Sequence, residues 1–154
     1  MLTMQTQPNG WSCLPTAFAI ATGINVTRLI LMIGHDGSKI LYPEFDDPHK
    51  RQAFHPQELL IVCYEYGFMV MRLDMEVYHG PLGTGPSHVL QLPQNVLNKM
   101  LFENNCVLVG TTPSGKRHAV AWCSSRELIL DPNGTVYSLD KFNIETLFVI
   151  KNEI

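Results

Sequence analysis

The stretch that decides how this chain folds is QPNGWSCLPTAFAIAT, residues 7–22. A largely apolar run begins at Cys13, so we predict a helix from Cys13 to Thr22 with Gly23 as its C′ residue. Gln7 lies six positions before the cysteine. A sulfur at a helix start lies near free backbone N–H groups and the positive end of the helix dipole, which favour a negative charge. Because the thiolate is the reactive form of cysteine, Cys13 is a candidate nucleophile.

Further helices and then a series of strands follow this first helix. The other predicted helices run from the N-cap Asn25 to Ile33, from Pro56 to near Gly67, and from about Gln94 to Asn104. The predicted strands lie at residues 68–73, 106–110, 117–123, 127–130, 136–138 and 147–151, with long loops at 34–56 and 78–93. This order indicates an α+β fold, with N-terminal helices packed on a C-terminal antiparallel sheet.

Length and composition are those of an ordinary globular protein. We expect the 154 residues to form one domain, residues 1–154, large enough to fold without a metal or disulfide staple. The formal charge is −3 and there is no basic stripe, so nucleic acid is not an expected partner. The sequence has no apolar run of about 20 residues and no recognisable secretory leader. We therefore expect a soluble, cytoplasmic protein without a membrane partner.

The chain has four cysteines, and their spacing argues against a metal site. Apart from the candidate nucleophile, we expect Cys63, Cys106 and Cys123 to be reduced and mostly buried. They form no CxxC pair and have no histidine at zinc-site spacing, so we expect no metal and no other cofactor. A site built from His79, His88 and an acid is the less favoured alternative.

Two candidate partners for the thiol lie far downstream in the chain. His118 lies in a predicted strand, on the same face as Val120 by period-two alternation. Asp131 ends the next predicted strand, so a hairpin between the two strands would bring its carboxylate to the imidazole. The imidazole would take the proton of the thiol, and the carboxylate would fix the ring tautomer. Gln7 is the candidate donor to an oxyanion, together with the backbone N–H of Cys13.

Each of these residues also has a plainer structural interpretation. Taken alone, Cys13 is a buried helix residue, His118 is a strand histidine bonded to the backbone, and Asp131 caps a turn. Gln7 lies near the terminus, where a polar residue needs no special cause. The combination of all four types, in the order Gln, Cys, His, Asp, favours thiol catalysis over the separate interpretations.

Three segments of the chain resemble papain-like cysteine peptidases. They are QPNGWSCLPTA at residues 7–17, RHAVAW at residues 117–122 and LILDPNG at residues 128–134. The chain is most similar to the compact bacterial branch that includes the bacteriocin-leader (double-glycine) processing peptidases. The order of the segments extends this resemblance over nearly the whole chain.

The resemblance implies a papain-like fold and a role for each candidate residue. By that resemblance Cys13 is the nucleophile, His118 the base, Asp131 the orienting acid and Gln7 the oxyanion donor. Ser12 and Leu14 depart from the family, which often has an acidic residue before the cysteine and a glycine after it. These two departures affect the expected specificity for leader peptides more than the expected thiol chemistry.

The expected function is therefore that of a free-standing cysteine hydrolase. We expect it to cleave a peptide or isopeptide bond in a protein or peptide substrate through a thioester intermediate. A glutamine deamidase or acyl transferase on the same triad is one alternative, and a catalytically silent binding module of the same fold is another. The sequence determines neither the substrate nor the oligomeric state.

Overall fold

The computed structural model describes residues 2–39, 53–79 and 88–152 of the chain. Its helices are α1 (Cys13–Thr22), α2 (Val26–Ile33), α3 (Pro56–Glu65) and α4 (Gln94–Glu103). Its strands are β1 (Phe68–Asp74), β2 (Glu76–His79), β3 (His88–Gln91), β4 (Cys106–Thr111), β5 (Arg117–Cys123), β6 (Leu128–Leu130), β7 (Val136–Tyr137) and β8 (Asn143–Asn152). A 3₁₀ turn at Leu139–Lys141 joins β7 to β8. Helices combined with an antiparallel sheet confirm the predicted α+β class.

The first two helices begin and end where their punctuating residues predict. Gly23 has a φ of 80° and its N–H donates to the carbonyl of Ala19 at 2.9 Å, which ends α1. The side chain of Asn25 accepts hydrogen bonds from the N–H groups of Thr27 and Arg28, at 3.0 and 3.3 Å, which starts α2. Local sequence therefore determines these helix ends.

Among the helices that the structure describes, α1 is the most deeply buried. Its residues Ala17, Phe18, Ala19 and Ile20 are fully buried, and the ring of Phe18 contacts that of Phe148 on β8 edge to face. The start of α1 is therefore supported by a packed core.

In the described ranges no single helix is both long and apolar enough to cross a bilayer; α1 and α2 together reach that length, but with a bend of 119° between them.

Six strands form one antiparallel sheet in the order β1-β8-β4-β5-β6-β7. The strands from β4 to β7 form a meander, and β8 returns to lie between β1 and β4. Strands β2 and β3 form a separate pair. The sheet thus places β5, which carries His118, next to β6, which Asp131 follows.

The two faces of the sheet belong to different hydrophobic clusters. On β5, Ala119 and Ala121 face the cluster that contains α1, α2 and α3, whereas Val120 and Trp122 face the opposite cluster. Trp122 also donates its Nε1–H to the carbonyl of Leu101 on α4, at 2.7 Å. This confirms the predicted alternation along β5. The small alanine side chains let α1 approach the sheet closely.

One predicted loop is wrong in part, because a strand lies inside it. Strand β3 pairs antiparallel with β2, with His79 opposite His88. Strand β3 and the end of β2 lie within residues that we predicted to be a loop, and the start of β2 was not predicted as a strand either. A strand of four residues is too short to show a periodicity of its own, and turn residues surround it. Residues 40–52 and 80–87, which fall in the two predicted loops, lie outside the described residues.

Candidate active site

Cys13 is the first residue of α1, and a short polar turn sets the direction of that helix. The side chain of Asn9 accepts hydrogen bonds from the N–H of Trp11 at 3.2 Å and from the hydroxyl of Ser12 at 2.6 Å. The carbonyl of Ser12, a buried residue, then accepts both the N–H and the hydroxyl of Thr16. The sulfur is therefore placed by a turn in which every polar group named has a partner.

The hairpin of β5 and β6 brings His118 and Asp131 together. Its register pairs Ala121 with Leu130, and Asp131 follows directly. The Nε2 atom of His118 lies 2.6 Å from Oδ1 of Asp131. The ring is the donor in this bond because an ionised carboxylate only accepts. The hairpin that the sequence predicts between these strands is present.

The carboxylate of Asp131 is buried, with only 2% of the residue exposed, and it has three hydrogen-bond donors. Besides the ring of His118, the N–H of Asn133 donates to Oδ1 at 2.9 Å and the hydroxyl of Tyr137 donates to Oδ2 at 2.6 Å. Burial raises the pKa of Asp131, but these donors lower it by more, so the net pKa lies below the ordinary value. Asp131 is therefore ionised near neutral pH.

Tyr137 is a site residue that sequence reasoning missed. It lies on β7, where it is paired with Ile129 of β6 across the turn that follows Asp131. The only sequence signal is that this turn sends the chain back along β6, with a tyrosine early in the returning strand. The tyrosine is half-buried, and its hydroxyl donates to the carboxylate at 2.6 Å.

The thiol of Cys13 and the imidazole of His118 shift each other's pKa towards an ion pair. Burial raises the pKa of Cys13, but hydrogen bonds from the His118 ring and from the N–H groups of Ala119 and Leu14 lower it below the ordinary thiol value. Burial lowers the pKa of His118, but the hydrogen bonds with Asp131 and Cys13 raise it to about 9. With Nε2 bonded to Asp131, Nδ1 is the ring nitrogen left for the sulfur. The arrangement favours a thiolate beside an imidazolium.

Gln7 lies at the site, with its side chain partly engaged. Its backbone N–H donates to the carbonyl of Pro132 at 2.8 Å, which ties this segment to the turn after Asp131. Its side-chain Nε2 donates to the carbonyl of Asn9 at 2.7 Å. An amide nitrogen carries two hydrogens, so one remains for another acceptor. Within the described part of the chain, the buried Oε1 of Gln7 has no hydrogen-bond partner.

An open groove of about 740 Å³ runs along the histidine side of the site. Its walls come from the N-terminal segment around Gln7, the turn between β4 and β5, and the turn after β6. His118, Asp131 and Tyr137 line it, and Cys13 is not among its lining residues. An extended segment of another molecule would have room beside the imidazole.

The other three cysteines are more deeply buried than Cys13, but they do not all have a raised pKa. All four are free, and Cys63, Cys106 and Cys123 are fully buried. Burial raises the pKa of both Cys63 and Cys106 to about 12. Burial also raises the pKa of Cys123, yet hydrogen bonds with Ser125 and Arg126 lower it by more. In the described residues no three His, Cys, Asp or Glu side chains are grouped so that they could hold a metal ion. Within those residues, the titratable cluster of interest is Cys13, His118 and Asp131.

Comparison with models of known protein families and with curated proteins finds no match for this chain. The resemblance to papain-like peptidases therefore stays a prediction.

Proposed function

We propose that this protein is a papain-like cysteine hydrolase that cleaves a peptide or isopeptide bond. The observation that carries the proposal is the row of groups from the Cys13 sulfur through the His118 ring to the buried Asp131 carboxylate. A structural cysteine needs neither a helix start, nor a histidine beside it, nor a carboxylate behind that histidine. Together these three are the parts of an activated thiol nucleophile.

In the first half of the reaction, the thiolate of Cys13 attacks the carbonyl carbon of the scissile bond. The electron pair of the C=O bond moves to the oxygen, and a tetrahedral oxyanion forms. When that oxyanion collapses, the C–N bond breaks and Nδ1 of His118 gives its proton to the leaving amine. A thioester on Cys13 and a neutral His118 remain.

Two N–H groups are suited to stabilise the oxyanion. The backbone N–H of Cys13 lies in the first turn of α1, where N–H groups have no partner within the helix. The second amide hydrogen of Gln7 is the other candidate, since the first is bonded to the carbonyl of Asn9. A donor of this kind is typically worth about 3–4 kcal/mol of barrier.

In the second half of the reaction, water replaces the amine. His118 takes a proton from the water as the water oxygen attacks the thioester carbon. The C–S bond then breaks, the acid product leaves, and the proton returns the site to its thiolate–imidazolium form. Throughout both halves Asp131 stays ionised and holds Nε2–H of the ring.

Alkylation by iodoacetamide at pH 6 tests the first premise, the thiolate. We expect Cys13 to react at least about tenfold faster than Cys63 or Cys106, because those two thiols, with pKa values raised to about 12, are almost fully protonated at that pH. The variant His118→Ala should lose this advantage while its circular dichroism spectrum stays unchanged. A silent binding module would instead show no fast modification of Cys13.

Incubation with a defined peptide library, read by mass spectrometry, tests the reaction. Shortened peptides that appear with the wild-type protein and not with Cys13→Ala support hydrolysis. A small mass gain at glutamine without shortening indicates deamidation. Full activity of a folded Cys13→Ala protein would end the proposal.

A further inference from the structure

The groove beside His118 carries charges that indicate what part of a substrate it would hold. Among the described residues that line it, Lys116 and Lys141 bring ammonium groups, and Asp131 is the sole carboxylate. The oxygens of Asp131 are already bonded to His118, Asn133 and Tyr137. The groove thus presents two cations to solvent and no carboxylate that is open to a ligand.

The two lysines come from different walls of the groove. Lys116 ends the turn between β4 and β5, and its carbonyl accepts the N–H of Thr112 at 2.9 Å, so its backbone is held. Lys141 ends the 3₁₀ turn before β8. Within the described part of the chain, no ion pair engages either ammonium group. Both are exposed and can turn towards a ligand.

One nearby carboxylate, that of Asp140, interacts with Lys141 and offsets part of its charge. Asp140, the neighbour of Lys141 in sequence, accepts the hydroxyl of Ser138 and is not among the lining residues. The hydrogen bond from Ser138 and, to a lesser extent, the charge of Lys141 lower the pKa of Asp140. The guanidinium of Arg117 forms an ion pair with the carboxylate of Glu145 at 3.2 Å.

The local charge is opposite to that of the whole chain. The formal net charge is −3, yet the groove is lined by two ammonium groups and the His118 imidazole against a single carboxylate, that of Asp131. A cleft lined by one sign of charge concentrates its field within the cleft and attracts ligands of the other sign. The groove therefore favours an anionic segment.

The chemistry of the site says which side of the scissile bond this segment lies on. His118 delivers its proton to the leaving amine, so the leaving group must lie on the imidazole side of the sulfur. The groove is lined by His118 and not by Cys13. It therefore lies on the side of the leaving group.

We infer that this groove binds an acidic leaving group: a peptide segment with Asp or Glu, or a free carboxylate, just after the scissile bond. Lys116 and Lys141 are the specificity-determining residues. The inference rests on the proposed function for the position of the leaving group, and on the charges of the groove for the acidic character.

Matched electrophiles test this inference without knowledge of the natural substrate. We would use N-chloroacetyl-glycyl dipeptide amides whose second residue is Glu, Gln or Lys. The Cys13 thiolate attacks the CH₂ carbon, a C–S bond forms and chloride leaves, while the peptide extends on the leaving-group side. Since the reactive group is the same in all three, the ratio of rates measures the preference of the groove.

For the wild-type protein we expect the Glu reagent to react about fivefold faster than the Lys reagent, the effect of one or two exposed ion pairs. The ratio of the Glu rate to the Lys rate should fall to about one in the double variant Lys116→Gln/Lys141→Gln, and also in the wild type at high salt. It should persist in the control variant Lys99→Gln, because Lys99 is an exposed lysine of α4 outside the groove. Equal Glu and Lys rates in the wild type, or an unchanged ratio in the double variant, would overturn the inference.

Chloroacetamide, which carries no peptide, separates the two claims. A Cys13 that reacts with it no faster than an ordinary thiol at pH 6 contradicts the proposed function. The Glu-to-Lys ratio, measured on the same sulfur, still decides the charge preference. Equal chloroacetamide rates in the wild type and the double variant would show that the thiol itself is unchanged.

Discussion

At the scale of single residues, the state of the site depends on Asp131 and its three donors. The His118 ring, the Asn133 N–H and the Tyr137 hydroxyl all bond to this one buried carboxylate. Each favours the ionised form of Asp131, and the ionised form keeps the proton on Nε2 of His118. Tyr137 is thus a positioning residue that acts on the thiol through two others.

Removing the hydroxyl of Tyr137 should weaken the site without removing any catalytic group. In Tyr137→Phe, Oδ2 of Asp131 loses its donor inside the protein, so we expect the pKa of Asp131 to rise and that of His118 to fall. The rate of Cys13 alkylation at pH 6 should drop several-fold. The free energy of unfolding should decrease by about 1–3 kcal/mol, the cost of an unsatisfied buried acceptor.

Tyr64→Phe is the matched control for this change. Tyr64 lies on α3 with 69% of the residue exposed, so the same loss of a hydroxyl there should change neither the alkylation rate nor stability. A Tyr137→Phe protein whose pH profile of alkylation coincides with that of the wild type would show that Tyr137 has no part in positioning.

At the scale of elements, the start of α1 determines where the Cys13 thiol lies. Ser12 occupies a position where the resembling family often has an acidic residue; here its buried hydroxyl donates to Asn9 and its carbonyl begins the helix. The backbone N–H of Leu14 is one of the donors that lower the pKa of the Cys13 thiol. The departures from the family pattern are therefore compatible with an activated sulfur.

Removing the side chain of Asn9 should loosen this start. In Asn9→Ala the Trp11 N–H and the Ser12 hydroxyl lose their acceptor, and we expect the free energy of unfolding to fall by about 1 kcal/mol. Because Cys13 follows directly, its alkylation at pH 6 should also slow by several-fold. Urea denaturation and the labelling rate measure the two effects.

Asn25→Ala is a control of the same residue type and the same kind of bond. Asn25 accepts two N–H groups at the start of α2, away from the sulfur, so its loss should cost a similar free energy and leave Cys13 alkylation unchanged. If both variants slow alkylation equally, the turn at Asn9 has no special link to the thiol.

At the scale of the whole molecule, the coupling of two opposite pKa shifts determines how stability depends on pH. His118, whose folded pKa of about 9 exceeds the ordinary 6.5, adds stability that is complete below pH 6.5 and lost as the pH rises towards 9. Cys13, whose folded pKa lies below 9.0, adds stability that is present above pH 9.0 and lost as the pH falls. Between the folded pKa of Cys13 and pH 9.0 the two slopes oppose each other, so the wild-type free energy of unfolding should change less with pH than either group alone would cause.

The variant Cys13→Ala should break this balance. Without the thiol, the hydrogen bond with the Asp131 carboxylate still holds the folded pKa of His118 above 6.5, though by less than in the wild type, so stability should fall as the pH rises from 6.5 to 8.5. Urea denaturation at both pH values, on wild type and variant, measures the difference. Parallel curves for the two proteins would mean that no proton passes from Cys13 to His118.

Much of the fold and the site follows from local patterns. Gly23 and Asn25 mark helix ends, alternation assigns the faces of β5, and the short segment between β5 and β6 predicts the hairpin that brings Asp131 to His118. These patterns depend on neighbours a few residues apart, which is why sequence reveals them. The four-residue strand β3 carries too short a pattern and was missed.

By itself, the sequence determined the α+β class, the helix start at Cys13 and the order of the candidate residues. Only the tertiary structure decided that the hydroxyl of Tyr137 donates to Asp131 and that the side-chain amide of Gln7 donates to the carbonyl of Asn9. It also decided that Lys116 and Lys141 line the same groove. The reason is physical: capping, turn formation and alternation are set by adjacent residues. A groove or a hydrogen bond across strands depends on how distant segments pack, and no local pattern records that.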